Sequence, residues 1–293
     1  MCRNQFLMCV VLCLMTLGAL SVEGKAMAEA VGIREQIFCV ERGGERIEGR
    51  LCLPAEGAQE GKETYPTVIL SHGFGGNCDA LTGEAARALA REGFAAYAFN
   101  FRNPDTRSMI NTSVLTEART LSLVIEGLLE EPFTDRDNLF LLGESQGGFV
   151  SSYVAAKSLG QNIRGLVLYY PAFVLQDDAR KRNPGYDEED YEFPETEMAL
   201  GTLISGTYSR DALSFDIYDL LPSYPGDVLI VHGTKDRLVP LSYSERALNA
   251  FPHAELMTVP GAGHGFYGTR DFPDVLDATI EFLKKQIAGG EAP

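Results

Sequence analysis

Gly143-Glu144-Ser145-Gln146-Gly147 is the stretch that decides how this chain folds. It follows the apolar run Leu139-Phe140-Leu141-Leu142 and precedes Gly148-Phe149-Val150-Ser151-Ser152-Tyr153-Val154-Ala155-Ala156-Lys157, which reads as a helix. A G-x-S-x-G set between a buried strand and a helix is a nucleophile elbow. The turn is sharp and strained, so the positions on its inner side must lack bulk, which glycine supplies. The serine hydroxyl is then pushed out at the N-terminus of the next helix, where free amides and the helix dipole favour developing negative charge. With 30 glycines in 293 residues the pentapeptide alone can arise by chance. Its neighbours must carry the reading.

Three further segments occur in the order such a site needs. Val68-Ile69-Leu70-Ser71 is an apolar strand ending in His72-Gly73-Phe74-Gly75-Gly76. A glycine-rich loop there supplies one oxyanion amide and the residue after the nucleophile supplies the other, which nominates the backbone N–H groups of Phe74 and Gln146. A turn that merely reverses the chain is the competing reading of those glycines. Val228-Leu229-Ile230-Val231 ends at His232-Gly233, and Asp236 follows three residues after the glycine, in the place of the acid member. As a loop aspartate it is alternatively a turn or cap residue. Finally Glu255-Leu256-Met257-Thr258-Val259 runs into Pro260-Gly261-Ala262-Gly263-His264. The chain has four histidines. His72 and His232 end strands and are expected to make structural hydrogen bonds; His253, in Phe251-Pro252-His253, is expected to be exposed. His264 is the one placed to reach Ser145.

The chemistry follows from these roles. Serine is a poor nucleophile at its own pKa, so His264 must accept its proton and later hand it to the leaving group. Asp236 fixes the imidazole tautomer and stabilises the imidazolium. No zinc-type His/Cys spacing and no phosphate loop occurs in the sequence, so neither metal nor cofactor enters the scheme.

The ends and the composition set the frame. Arg3 followed by the apolar stretch from Phe6 to Leu20 and the small-x-small triplet Ala26-Met27-Ala28 reads as an export signal over residues 1–28, with Ala28-Glu29-Ala30 as a second cleavage candidate and an uncleaved anchor as the alternative. The apolar stretch is shorter than the roughly 20 residues of a membrane span. The mature chain is expected to be exported, secreted or periplasmic, and free of the membrane. Cys39, Cys52 and Cys78 would remain after cleavage. A turn on Gly43-Gly44 sets Cys39 opposite Glu48 rather than Cys52, so three thiols are expected instead of a bridge. A net charge of −16 argues against nucleic acid and anionic membranes as partners. A homodimer is left open.

Residues 29–293 fit one α/β domain in which strand-like and helix-like runs alternate. A hairpin over 37–40 and 46–53 precedes strands expected at 68–71, 95–101, 139–142, 165–169, 228–231 and 255–259. Helices are expected at 81–92, 114–131, 147–159, 242–250 and 272–287. The interval of about 171–225 is too long for a simple crossover and reads as a lid inserted over the serine, with aromatics and the apolar pieces Met198-Ala199-Leu200 and Leu203-Ile204 arguing against disorder.

These residues together resemble the α/β-hydrolases, and the whole mature chain is similar to the cinnamoyl or feruloyl esterases of gut bacteria. His72-Gly73-Phe74-Gly75 is similar to that family's H-G-F loop, and Gly143 to Gly148 resembles its G-x-S-Q-G-G. Pro171-Ala172, with Leu175-Gln176-Asp177-Asp178-Ala179 after it, looks like the start of the family's lid. The resemblance implies an α/β-hydrolase fold with a mostly parallel sheet, helices on both faces and a lid insertion. It implies a serine carboxylesterase with a small-molecule ester substrate, a hydroxycinnamate ester being the best single choice. It also implies that a lid aspartate and tyrosine contact the phenolic ring, at Asp178 and Tyr208, with Gln176 beside them. One segment departs from the pattern: where many members carry G-H-G-x-S after the fourth strand, this chain reads Asn100-Phe101-Arg102-Asn103-Pro104-Asp105-Thr106-Arg107-Ser108. That segment and Ser113-Val114-Leu115-Thr116-Glu117 resemble a second branch of gut-bacterial hydrolases. The departure bears on the aromatic acyl preference and leaves the triad untouched. Two other classes compete: a prolyl-oligopeptidase-type peptidase, which usually has an aromatic after the serine and a propeller domain for which this chain has no room, and a binding protein on a hydrolase scaffold, which usually lacks a triad member.

Overall fold

Runs such as Val68-Ile69-Leu70 and Leu139-Phe140-Leu141-Leu142 have no polar interruption, so as strands they must be covered on both faces, as strands of parallel sheets are. The computed structural model describes residues 28–30, 32–55, 64–79, 82–101, 108–266 and 269–289. The export-signal reading of residues 1–28 falls, but for Ala28, outside them.

In chain order the elements are β1 Ala28–Ala30, β2 Ile33–Arg42, β3 Glu45–Pro54, β4 Tyr65–Ser71, α1 Thr82–Arg91, β5 Ala95–Phe99, β6 Ser108–Met109, α2 Val114–Leu128, β7 Thr134–Glu144, α3 Gln146–Val154, β8 Gly165–Tyr169, α4 Leu175–Arg182, β9 Thr196–Ala199, β10 Thr202–Ser205, α5 Gly206–Ala212, α6 Ile217–Leu220, β11 Asp227–Gly233, α7 Leu241–Ala250, β12 Ala254–Val259 and α8 Phe272–Ala288. The main sheet has the order β1-β2-β3-β5-β4-β7-β8-β11-β12. Its pairs from β5 to β12 are parallel, and the β1–β2, β2–β3 and β3–β5 pairs are antiparallel. This is the mostly parallel sheet expected, with an antiparallel edge. Ala28-Glu29-Ala30, the second cleavage candidate, is β1 and pairs with Ile33–Glu35.

Successive side chains of a strand point to opposite faces, and the core divides accordingly. Ile69, Leu139, Leu141, Leu166, Leu168 and Ile230 pack with α2 and α3 on one face. Val68, Leu70, Phe140, Leu142, Val167 and Val231 pack with α1 and α8 on the other. In the opening hairpin Cys39 faces Glu48, as the turn position implied, and no disulfide joins Cys39, Cys52 and Cys78. The strand read as running to Phe101 ends at Phe99, because the Phe101 amide donates to His72 instead.

Between β8 and β11 the chain forms α4, the β9–β10 hairpin, α5 and α6. The hairpin joins β6 in a small separate sheet ordered β6-β10-β9, with β6 parallel to β10. The inserted segment is therefore tied to the stretch that follows β5, which is where the sequence departs from the family pattern.

Candidate active site

Three loops at the carboxyl ends of parallel strands converge: Ser145 after β7, Asp236 after β11 and His264 after β12. Crevices at strand carboxyl ends are where open α/β sheets bind ligands. Ser145 has φ 50° and ψ −116°, a conformation that non-glycine residues rarely adopt and that the surroundings must hold. Its amide donates to the Tyr169 carbonyl at 2.9 Å, and its carbonyl accepts from the amides of Ala172 at 2.8 Å and Gly148 at 3.0 Å. The flanking glycines are there for close approach. A Cβ on Gly143 would lie 2.5 Å from the Gly147 carbonyl oxygen, and one on Gly147 would lie 2.2 Å from the Ser71 carbonyl oxygen. Gly147→Ala should therefore force β4 and α3 apart. The expected cost is about 1–3 kcal/mol, seen as a fall in Tm of several degrees in a thermal melt, together with loss of activity. An unchanged Tm would mean that the elbow is looser than described.

His264 Nδ1 lies 2.7 Å from Asp236 Oδ2, and its Nε2 lies 3.1 Å from Ser145 Oγ. A carboxylate only accepts, so Nδ1 carries the proton and Nε2 is left as the acceptor facing the serine. The other Asp236 oxygen accepts from the amides of Leu238 at 2.8 Å and Val239 at 2.9 Å. His232, fully buried, adds a further donor: its Nε2 is 3.3 Å from Asp236 Oδ2 and 2.8 Å from the Val239 carbonyl, while its Nδ1 sits 2.7 Å from Ser244 Oγ. Burial alone would raise the Asp236 pKa. The hydrogen bonds from His232, His264 and the Val239 amide outweigh it and hold the carboxyl well below the usual carboxylate range. The loops that carry Asp236 and His264 touch directly, since a Cβ on Gly233 would lie 2.5 Å from the Ala262 carbonyl oxygen. Tyr170 backs the imidazole, with its ring centroid 4.5 Å from that of His264 and a strained φ of 38°.

The loop after β4 lies against the serine. A Cβ on Gly73 would be 3.2 Å from the Ser145 Cβ, and Phe74, Ser145 and Gln146 line one pocket. Gln146 is the first residue of α3, so its amide is among the first N–H groups of the helix, which have no acceptor within it. His72 anchors the loop: its Nδ1 lies 2.8 Å from the Gly73 carbonyl, and its Nε2 accepts from the Phe101 amide at 3.2 Å. Burial pushes its pKa down to about 4, so it stays neutral there, against the smaller opposing pull of the Gly73 carbonyl. His253 is exposed at the start of β12, at the far end of the sheet from Ser145.

The three residues expected to contact a substrate from the inserted segment separate into three cases. Asp178 lines the pocket, half-exposed, with Lys181 Nζ 3.1 Å from its carboxyl. Tyr208 also lines it, but its hydroxyl donates to the side-chain oxygen of Gln146, so that group is not turned to a ligand. Gln176 corrects the expectation for it. Its amide nitrogen donates to the carbonyls of Ala212 and Phe215, and its oxygen accepts from the Ile217 amide at 3.0 Å. It ties the backbone of the segment between β8 and β11 together and is not among the residues that line the pocket. The sequence reading did not single out Tyr170, nor Glu117, whose carboxyl accepts from the Gln146 side chain at 2.6 Å. The sequence signals for them are an aromatic between a strand and Pro171 and an acid in the first turn of a largely apolar helix.

The sequence pattern of the Alpha/beta hydrolase family matches residues 68–278, which include the Gly73 loop, Ser145, Asp236 and His264. Caffeoylshikimate esterase of Arabidopsis thaliana is 24% identical over 153 residues, which cover 51% of this chain and 44% of that one. A Caulobacter segnis protein named "Putative carbamate hydrolase RutD" is 32% identical over 127 residues, 42% of this chain and 45% of that one. The chain thus matches somewhat under half the length of these curated relatives. Among solved structures, Est1E from Butyrivibrio proteoclasticus superimposes with a TM-score of 0.73 at 24% identity, over 86% of this chain and 99% of its own. That likeness speaks for the fold, and the family pattern, which covers most of the chain and spans the converging loops, settles where the chain stands: it belongs to the Alpha/beta hydrolase family.

Proposed function

We propose that the chain is a serine carboxylesterase working through an acyl-enzyme. The observation that carries this is the unbroken line from Asp236 through His264 to Ser145, with contacts of 2.7 and 3.1 Å. Ser145 Oγ attacks the ester carbonyl as its proton passes to His264 Nε2. The carbonyl oxygen, now negative, accepts hydrogen bonds from the amides of Phe74 and Gln146, each of the kind worth about 3 kcal/mol in the transition state. The C–O bond to the alcohol breaks, the alcohol leaves with the proton held by His264, and Ser145 keeps the acyl group. Water then attacks, giving its proton to His264, and the acid leaves as Ser145 is reprotonated. Asp236 remains ionised throughout, as its depressed pKa requires.

The acyl group is proposed to be an aromatic one of the hydroxycinnamate type. Val174, Leu175, Ala199 and Leu200 give the pocket apolar walls suited to a planar group, and Asp178 stands among them as an acceptor for a phenolic hydroxyl. Est1E, one of the structural neighbours, has also been solved with ferulic acid bound. On this reading Asp178→Ala lowers kcat/KM for methyl ferulate about tenfold, the size of one hydrogen bond of ~1.5 kcal/mol to a charged group. A short nitrophenyl ester, which does not reach that far, is unaffected. The test is the two kcat/KM values measured side by side with an amide as control. Equal losses on both esters would assign Asp178 to the fold, and a preference for the amide would replace the esterase with a peptidase.

A further inference from the structure

We propose that Glu117 and Tyr208 are positioning residues for the oxyanion site: they clamp the Gln146 side chain from α2 and from the lid, and so fix the direction of the Gln146 amide beside Ser145. The inference rests on the esterase reading above. It concerns three side chains from three separate elements, all buried. Tyr208 on α5 donates its hydroxyl to the Gln146 side-chain oxygen, and the Gln146 side-chain nitrogen donates to Glu117 on α2 at 2.6 Å. Both polar ends of Gln146 are thereby held, and the residue can turn only if the lid helix or α2 turns with it. The same two helices meet again one turn away, where the Ser113 hydroxyl, the N-cap of α2, donates to Asp211 of α5 at 2.6 Å. The Tyr208 ring packs edge-on to Phe74, the other donor residue, with ring centroids 6.1 Å apart. The lid thus touches both halves of the oxyanion site.

Glu117 suits this task as a neutral acid. Among the described residues no ion pair reaches it. The polar groups that face it are Gln146 from α3 and, from α5, Tyr208, with Asp211 beyond. Arg42 of β2 pairs with Glu126 of α2 and with Glu130 just past its end, and Arg182 of α4, near Tyr208, pairs with Glu197. Burial pushes the Glu117 pKa up to about 8, against the smaller lowering effect of the Gln146 bond. Below that pH the clamp is uncharged. Above it an uncompensated charge appears behind the place where the oxyanion must form, and such a charge opposes the oxyanion or opens the packing to water.

The experiment measures kcat and KM on a short nitrophenyl ester from pH 6 to 10 for the full chain and for Glu117→Gln, Glu117→Ala and Tyr208→Phe, alongside Ser145 labelling by a fluorophosphonate. The short ester removes any contribution from the far end of the pocket. The expected results are a fall of about tenfold in kcat for Glu117→Ala, smaller than the full loss of an oxyanion donor, with KM little changed, and partial recovery in Glu117→Gln. Tyr208→Phe should lose a few-fold in kcat. The unsubstituted chain should lose kcat above about pH 8, and Glu117→Gln should lack that decline. An alkaline limb that persists in Glu117→Gln would overturn the proposal, as would variants that change KM alone. Should Glu117→Ala fail to fold, the Gln and Phe variants still decide. If the unsubstituted chain neither labels nor turns over, it is the esterase reading that fails. If it does both and the variants match it at every pH, the clamp alone fails.

Discussion

Ser145→Ala is expected to abolish ester turnover, by about 10⁶-fold in kcat on the scale of serine-triad knockouts, while leaving the fold in place. The elbow is held by backbone bonds, from the Ser145 amide to Tyr169 and from Ala172 and Gly148 to the Ser145 carbonyl, none of which uses the hydroxyl. An alanine can occupy the same strained position, so the thermal melt should move by no more than a few degrees. The residual rate would come from the oxyanion amides and substrate binding. Turnover that persists at more than a small fraction, in protein whose substitution has been checked by mass, would remove Ser145 from its role.

Asp236→Asn is expected to lower kcat by about 10⁴-fold. An asparagine in that place can present its oxygen to the Leu238 and Val239 amides, but then its NH₂ faces His264 Nδ1 and His232 Nε2. That forces the wrong imidazole tautomer, with the proton on the nitrogen that should face Ser145. The substitution also carries a stability signature with a definite sign. The folded-state pKa of Asp236 is depressed, so its contribution to stability is full above about pH 4, the ordinary carboxylate range, and is lost as the pH falls through the folded value. Asparagine does not titrate. The Tm advantage of the unsubstituted chain over Asp236→Asn should therefore shrink on acidification below about pH 4. A gap that stays constant down to strongly acid pH would mean that Asp236 is not held ionised by its neighbours.

What could be read from sequence was what local physics writes locally. Apolar runs covered on both faces announced the parallel strands, and a glycine on each side of a strained serine announced the elbow, because close backbone contacts tolerate nothing larger. The two-residue turn at Gly43-Gly44 fixed the hairpin register, and with it the pairing of Cys39 with Glu48. What escaped was non-local. The Gln146 clamp joins residues 29 positions apart through Glu117 and 62 apart through Tyr208, and no periodicity records such a meeting. The resemblance sets Tyr208 against a substrate ring, whereas its hydroxyl donates to Gln146 within the chain. The resemblance places Gln176 near the ligand, whereas its amide bonds backbone groups at the α5–α6 junction. The inserted segment was recognised by its length. Its sheet was not, because the strand β6 that completes it has two residues and lies on the other side of α2.

The central claim is that Ser145 is the nucleophile, activated by His264. The most direct measurement is the intact mass of the protein after treatment with a fluorophosphonate, followed by peptide mapping. The account predicts one adduct per chain, located on Ser145, absent in Ser145→Ala and formed far more slowly in His264→Ala. An adduct on any other serine, or none on a folded chain that still hydrolyses esters, would contradict it.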